Sequence, residues 1–88
     1  MMYVVKKDGT REVFDVQKIV KAVNKSAARI LYKFQDQEVE FICGYAREKA
    51  QSLDTNEISI QEMHNIVEGA LEKVNPSVAK KLPGLSEL

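Results

Sequence analysis

With 88 residues, 44% of them apolar and 30% charged, the chain has room for one domain and one core, and none for a catalytic domain with a large buried cleft. Its 13 basic and 13 acidic side chains cancel, which argues against a general electrostatic hold on DNA or RNA and makes any anion binding local. The single cysteine excludes an internal disulfide and a paired-cysteine metal site. No apolar run approaches the ~18 residues of a membrane span, and Met1-Met2-Tyr3 leads straight into a strand pattern and not a signal peptide, so the expected location is cytoplasmic.

Val4-Val5-Lys6-Lys7-Asp8-Gly9 followed by Thr10-Arg11-Glu12-Val13-Phe14-Asp15 predicts a β-hairpin, with strands over 3–7 and 10–14 joined by a two-residue type I′ turn at Asp8-Gly9. In that register Lys6 lies opposite Arg11, Val5 opposite Glu12, Val4 opposite Val13 and Tyr3 opposite Phe14. Val4, Lys6, Arg11 and Val13 then share one face, and Val5, Lys7, Glu12 and Phe14 the other. Lys6 facing Arg11 is a like-charge pair that calls for solvent or an anion between the two. Asp15 is the expected N-cap of the next helix, which puts Lys18 at its third position, where a cation opposes the macrodipole. Either Lys18 points into water or an anion binds at that helix start.

Apolar residues at Ile19, Val20, Val23, Ala27, Ile30, Leu31 and Phe34 predict an amphipathic helix from Val16 to about Lys33. Lys21 and Lys25 on its polar face read as an ordinary solvated stripe. Asp36 is the expected cap of a second helix over 37–52, with Val39, Ile42, Ala46, Ala50 and Leu53 inward and Cys43 a small hydrophobe. Phe41 and Tyr45, one turn apart on its flank, read as a core or subunit contact. Gly44 in mid-helix costs about 1 kcal/mol against alanine and suggests a closely packed neighbour.

Residues 53–57 form a loop, and Ile58-Ser59-Ile60 is a short strand or the approach to a third helix. Ser59-Ile60-Gln61-Glu62 matches a capping box, and the helix it opens runs to about Val74, where Asn75-Pro76 stops it. Ser77 is the expected cap of one more turn through Lys81. The expected architecture is α+β: a small sheet built on the N-terminal hairpin, packed on three long helices and a short fourth, with the domain over 1–82 and a frayed tail over 83–88. No nucleophile with a base and no cluster of ligands is visible, so the chemistry is binding. His64, at the fifth position of the third helix, is either a half-buried hydrogen-bonding residue or a partner, with Lys6 or Lys7, for a phosphate.

Lys6-Lys7-Asp8-Gly9, Glu12-Val13-Phe14-Asp15, Lys18-Ile19 and the run from Ile58 to Glu68, in this order and spacing, resemble the ATP-cone domain. That module regulates ribonucleotide reductases from their N-terminus and also forms part of the repressor of their genes; the resemblance runs from about Tyr3 to about Ala79. It implies that Lys6 and Lys7 reach nucleotide phosphates, Lys7 without the bidentate fork of the arginine common there. It associates Glu12 and Asp15 with the adenine edge and Lys18 with the sugar or phosphates. Val4, Phe14 and Ile19 would form the apolar floor, while Ile60, Met63 and His64 close the pocket from the third helix. Ile60 stands where some members have threonine, which removes one phosphate hydrogen bond. The C-terminus departs from the family, whose longer basic and aromatic fourth helix is replaced by Val78-Ala79-Lys80-Lys81-Leu82-Pro83-Gly84.

The resemblance further implies ATP or dATP as allosteric ligand, with Mg²⁺ on the triphosphate. The implied partners are a reductase catalytic domain or other cone domains; the absence of zinc ligands ahead of the cone favours a reductase over the repressor as the expected parent. Two other classes remain. A nucleic-acid module would use the lysines but has the balanced charge against it. A helical protein-interaction module with a degenerate nucleotide site would use Phe41 and Tyr45.

Overall fold

A computed structural model of the chain describes residues 2–82. The elements are β1 (Tyr3–Val5), β2 (Arg11–Val13), α1 (Val16–Ala28), α2 (Asp36–Ser52), β3 (Glu57–Ser59), α3 (Ile60–Val74) and α4 (Pro76–Lys81). The fold is α+β, and its sheet has the order β2-β1-β3, with β1 antiparallel to β2 and parallel to β3. The expected frayed tail, 83–88, lies outside the described residues.

The hairpin forms, but in a different register. Val4 pairs with Glu12, Val5 with Arg11 and Tyr3 with Val13. Gly9 alone has positive φ in the turn, at 88°, whereas a type I′ turn needs two such residues. The Asp8 carboxylate instead accepts from the Thr10 backbone N–H at 3.0 Å and the Thr10 hydroxyl at 2.6 Å, which holds Asp8 out of the left-handed region. Lys6 therefore accepts from Gly9 N–H and donates to the Thr10 carbonyl, and Lys7, Asp8 and Gly9 form a three-residue loop. A slip of one residue exchanges faces. Val4 and Glu12 now share the inner face, Arg11 turns outward over the Tyr3 ring at 4.6 Å, and the expected Lys6–Arg11 pair does not exist.

β3 decides the alternative at 58–60 in favour of a strand. Ile58, 2% exposed, sits beside Val4, 3% exposed, on the inner face of the sheet. Ser59 then caps α3, its hydroxyl accepting from the Glu62 N–H at 3.1 Å. Because β3 runs directly into α3 and lies next to β1, the start of that helix is brought beside the hairpin. Ile19 and Val23 of α1, Ile42 and Ala46 of α2, and Val67 and Ala70 of α3 complete the core against this sheet face, and Val78 of α4 closes it.

Three helix boundaries differ from expectation. α1 stops at Ala28 and not near Lys33: Tyr32 N–H bonds the Ala27 carbonyl at 2.9 Å and Leu31 N–H the Ala28 carbonyl at 3.1 Å, the paired closure of a Schellman motif. Leu31 takes the left-handed position at φ 59° and is 96% exposed, so it leaves the apolar stripe to which its spacing assigned it. α2 begins with Asp36 as its first residue and Gln35 as its cap, because the Glu38 carboxylate accepts the Gln35 N–H at 2.9 Å. α4 is capped by Asn75, whose side chain accepts from Val78 N–H at 3.3 Å, and not by Ser77. Gly44 has open space around it; the close approach occurs at Gly69, where a Cβ would stand 2.9 Å from the Tyr45 hydroxyl.

Candidate functional site

The inner face of the hairpin, one face of α1 from Lys18 to Lys25 and the first turn of α3 line a cavity of about 320 Å³. Its inner end is apolar, made by Val4, Ala22 and Met63, all buried, with half-buried Ile60 beside them. Its mouth is ionic, and Glu12 is at the centre of it. The Glu12 carboxylate contacts Lys6 Nζ at 2.9 Å through Oε1 and Lys18 Nζ at 3.1 Å through Oε2. The hydrogen bond from Lys6, then that from Lys18, holds the Glu12 carboxyl below its ordinary range, so Glu12 is an anion throughout physiological pH. All three groups are exposed enough that these pairs do little for stability, and their importance is positional.

Local structure explains each placement. The hairpin register puts Lys6 and Glu12 on one face. Asp15 caps α1 by accepting the Gln17 N–H at 2.9 Å, which sets the rotation of the helix and turns Lys18 toward Glu12. The unfavourable lysine in the first turn is thus met by a carboxylate from the neighbouring strand.

Of the residues expected at a site, Val4, Lys6, Glu12, Asp15, Lys18, Ile60 and Met63 meet on this cavity. Four do not line it. Lys7 is exposed on the hairpin loop, Phe14 packs half-buried against the core, Ile19 is wholly buried behind the cavity wall, and His64 is half-buried with a buried Nε2 that has no hydrogen-bond partner among the described residues. Sequence reasoning missed Val13, Lys21, Ala22 and Lys25. The signal was present in the spacing: Lys18, Lys21 and Lys25 recur at three and four residues and so share one helix face, with Ala22 beside them.

An apolar slot that opens through a cluster of lysines suits a ligand with a flat or hydrophobic body and an anionic tail, which makes this a binding domain. The family model of the ATP cone domain matches residues 2–82, and the chain belongs to that family. ATP cones are regulatory domains that bind adenine nucleotides and are not themselves catalytic. Comparison with curated proteins gives no match. No helix among the described residues is long and apolar enough to cross a membrane.

Proposed function

We propose that the cavity takes ATP or dATP, with Mg²⁺ carried on the phosphates, and that the chain is the allosteric activity-site module of a ribonucleotide reductase. The observation that carries this reading is the convergence of Lys6 and Lys18 on the mouth of an apolar cavity whose floor is Val4, Ile60 and Met63. The base lies against that floor and the phosphates at the two lysines, continuing along α1 toward Lys21. Lys7 reaches the phosphates from the hairpin loop, Asp15 lies toward the base, and Glu12 joins it there once the phosphates take its place on Lys6 and Lys18. Phe14 and Ile19 support the floor from the core behind it, and His64 steadies the α3 side.

Nucleotide alone performs no chemistry here. It regulates by binding one arrangement of the cone and its neighbours better than another. The neighbour is a reductase catalytic domain or a second cone; in the related repressor it would be a DNA-binding domain. A second reading, a protein-interaction module, is favoured by one observation: Phe41, 42% exposed, stacks at 6.0 Å on half-buried Tyr45, one turn further along α2.

Calorimetric titration of the chain with ATP, dATP and GTP in the presence of Mg²⁺ tests the proposal. Micromolar binding of the adenine nucleotides, about 8 kcal/mol, with GTP silent and the Lys6→Ala/Lys18→Ala variant at least tenfold weaker, is the expected result. No binding at millimolar nucleotide would transfer the argument to the Phe41–Tyr45 surface.

A further inference from the structure

The geometry points to Glu12 as a built-in competitor for phosphate, a carboxylate that occupies Lys6 and Lys18 in the unliganded domain and so raises the threshold an anion must pass to bind. The inference rests on the reading of this cavity as a phosphate site. Its basis is that one carboxylate uses both of its oxygens on two lysines from different elements, 2.9 Å to Lys6 after β1 and 3.1 Å to Lys18 on α1. Two oxygens of a single phosphoryl group would make the same two contacts. Glu12 thus stands where such a group would stand, with charge of the same sign and matching acceptors.

The other carboxylates nearby are occupied elsewhere. Asp8 is bound to Thr10 within the hairpin loop, Asp15 accepts the Gln17 N–H at the start of α1, and Glu57 pairs with Arg11 at 2.8 Å on the outer face of the sheet. Glu12 alone among these four faces both lysines. It stays ionised at physiological pH, so the competition is permanent and not conditional on protonation.

The consequence is a threshold common to every anion that needs both lysines. An isolated phosphate replaces one two-oxygen contact with another and leaves a displaced carboxylate nearby, so it gains little. A nucleotide adds contacts that Glu12 does not contest: its base against Val4 and Met63, and its outer phosphates near Lys21. Glu12 thereby keeps free inorganic phosphate out of a regulatory site that must respond to nucleotide.

The test uses the whole 88-residue chain and inorganic probes, which have no base for Glu12 to touch. Titrations with inorganic triphosphate and orthophosphate are run on the unaltered chain, on Glu12→Gln and Glu12→Ala, and on Glu57→Gln, which removes the same charge from the opposite face of the sheet. Thermal melts establish that each variant is folded. Both Glu12 variants are expected to bind both anions roughly tenfold more tightly, with Glu57→Gln within twofold of the parent. A gain below threefold in either Glu12 variant, or an equal gain in Glu57→Gln, overturns the inference. The outcomes separate it from the nucleotide reading. ATP binding by the unaltered chain without the Glu12 gain removes the competitor alone, whereas the gain without ATP binding keeps the competitor and removes the nucleotide.

Discussion

Val4 faces Glu12 across the β1–β2 ladder, and this pairing places a carboxylate on the same side of the sheet as Lys6. The pairing depends on a loop in which Gly9, at φ 88°, is the residue that enters the left-handed region. Gly9→Ala has open space for its methyl group, so its penalty is conformational alone, about 1 kcal/mol. Denaturant titration should show that loss, and the variant should bind nucleotide more weakly because the register that aligns Lys6 with Glu12 is loosened. A variant as stable as the parent would mean that the loop does not set the register.

Two helical glycines should respond in opposite ways to alanine. Gly44 has no neighbour within contact distance of an added Cβ, so Gly44→Ala should stabilise the domain by about 1 kcal/mol through helix propensity alone. At Gly69 the added Cβ would meet the Tyr45 hydroxyl at 2.9 Å, so Gly69→Ala should gain much less. In a Tyr45→Phe background the full gain should return, since the nearest ring atoms then lie at 3.6 Å. Chemical denaturation of the four variants checks the cycle; a full gain for Gly69→Ala with Tyr45 intact would contradict it.

Glu38 ties the α1–α2 turn to the start of α4. It accepts from the Tyr32 hydroxyl at 2.7 Å, the Gln35 N–H at 2.9 Å and the Asn75 amide at 3.4 Å. Burial pushes its carboxyl up, but the three donors together outweigh burial and hold it below its ordinary value of 4.5. A depressed carboxyl contributes stability above its unfolded pKa, and that contribution disappears as pH falls through the folded value. Tyr32 moves the other way: the Glu38 bond, then burial, raises it above its ordinary 10.0, so its share is lost as pH climbs past that value. Glu38→Gln should therefore melt below the parent near neutral pH, by about 1 kcal/mol, and the difference should shrink as pH falls below the ordinary 4.5 and through the lowered folded value. An offset constant from acid to neutral pH would rule out this ionisation as the cause.

The long periodic segments were legible. Ile19, Val23 and Ala27 in α1, Ile42, Ala46 and Ala50 in α2, and Met63, Val67, Ala70 and Leu71 in α3 are all buried as their spacing requires. What escaped was decided by single hydrogen bonds that no pattern announces. Thr10 captures the Asp8 side chain and changes the turn, and with it the face of every residue of β2 relative to β1. Leu31 occupies a position normally given to glycine, so nothing in the residue type signalled the end of α1. At the site, Lys6, Glu12, Asp15 and Lys18 line one cavity, whereas Lys7, Phe14, Ile19 and His64 from the same short motifs do not. The spacing of Lys21 and Lys25 reads as a solvated stripe, because only the tertiary position of the hairpin turns that helix face into a cavity wall. Adjacency to Lys6 suggests that Lys7 lines the same cavity, but it sits in the three-residue loop and is not part of the lining.

The claim that nucleotide occupies the cavity between hairpin, α1 and α3 is tested most directly by amide NMR spectra of the labelled chain recorded during titration with Mg-ATP. Shift changes concentrated at Val4, Lys6, Glu12, Lys18, Lys21, Ile60 and Met63, with Lys21→Ala weakening binding more than Lys7→Ala, are the result this account predicts. Saturable changes confined to Phe41, Tyr45 and Lys49 on α2, or none at millimolar nucleotide, would contradict it.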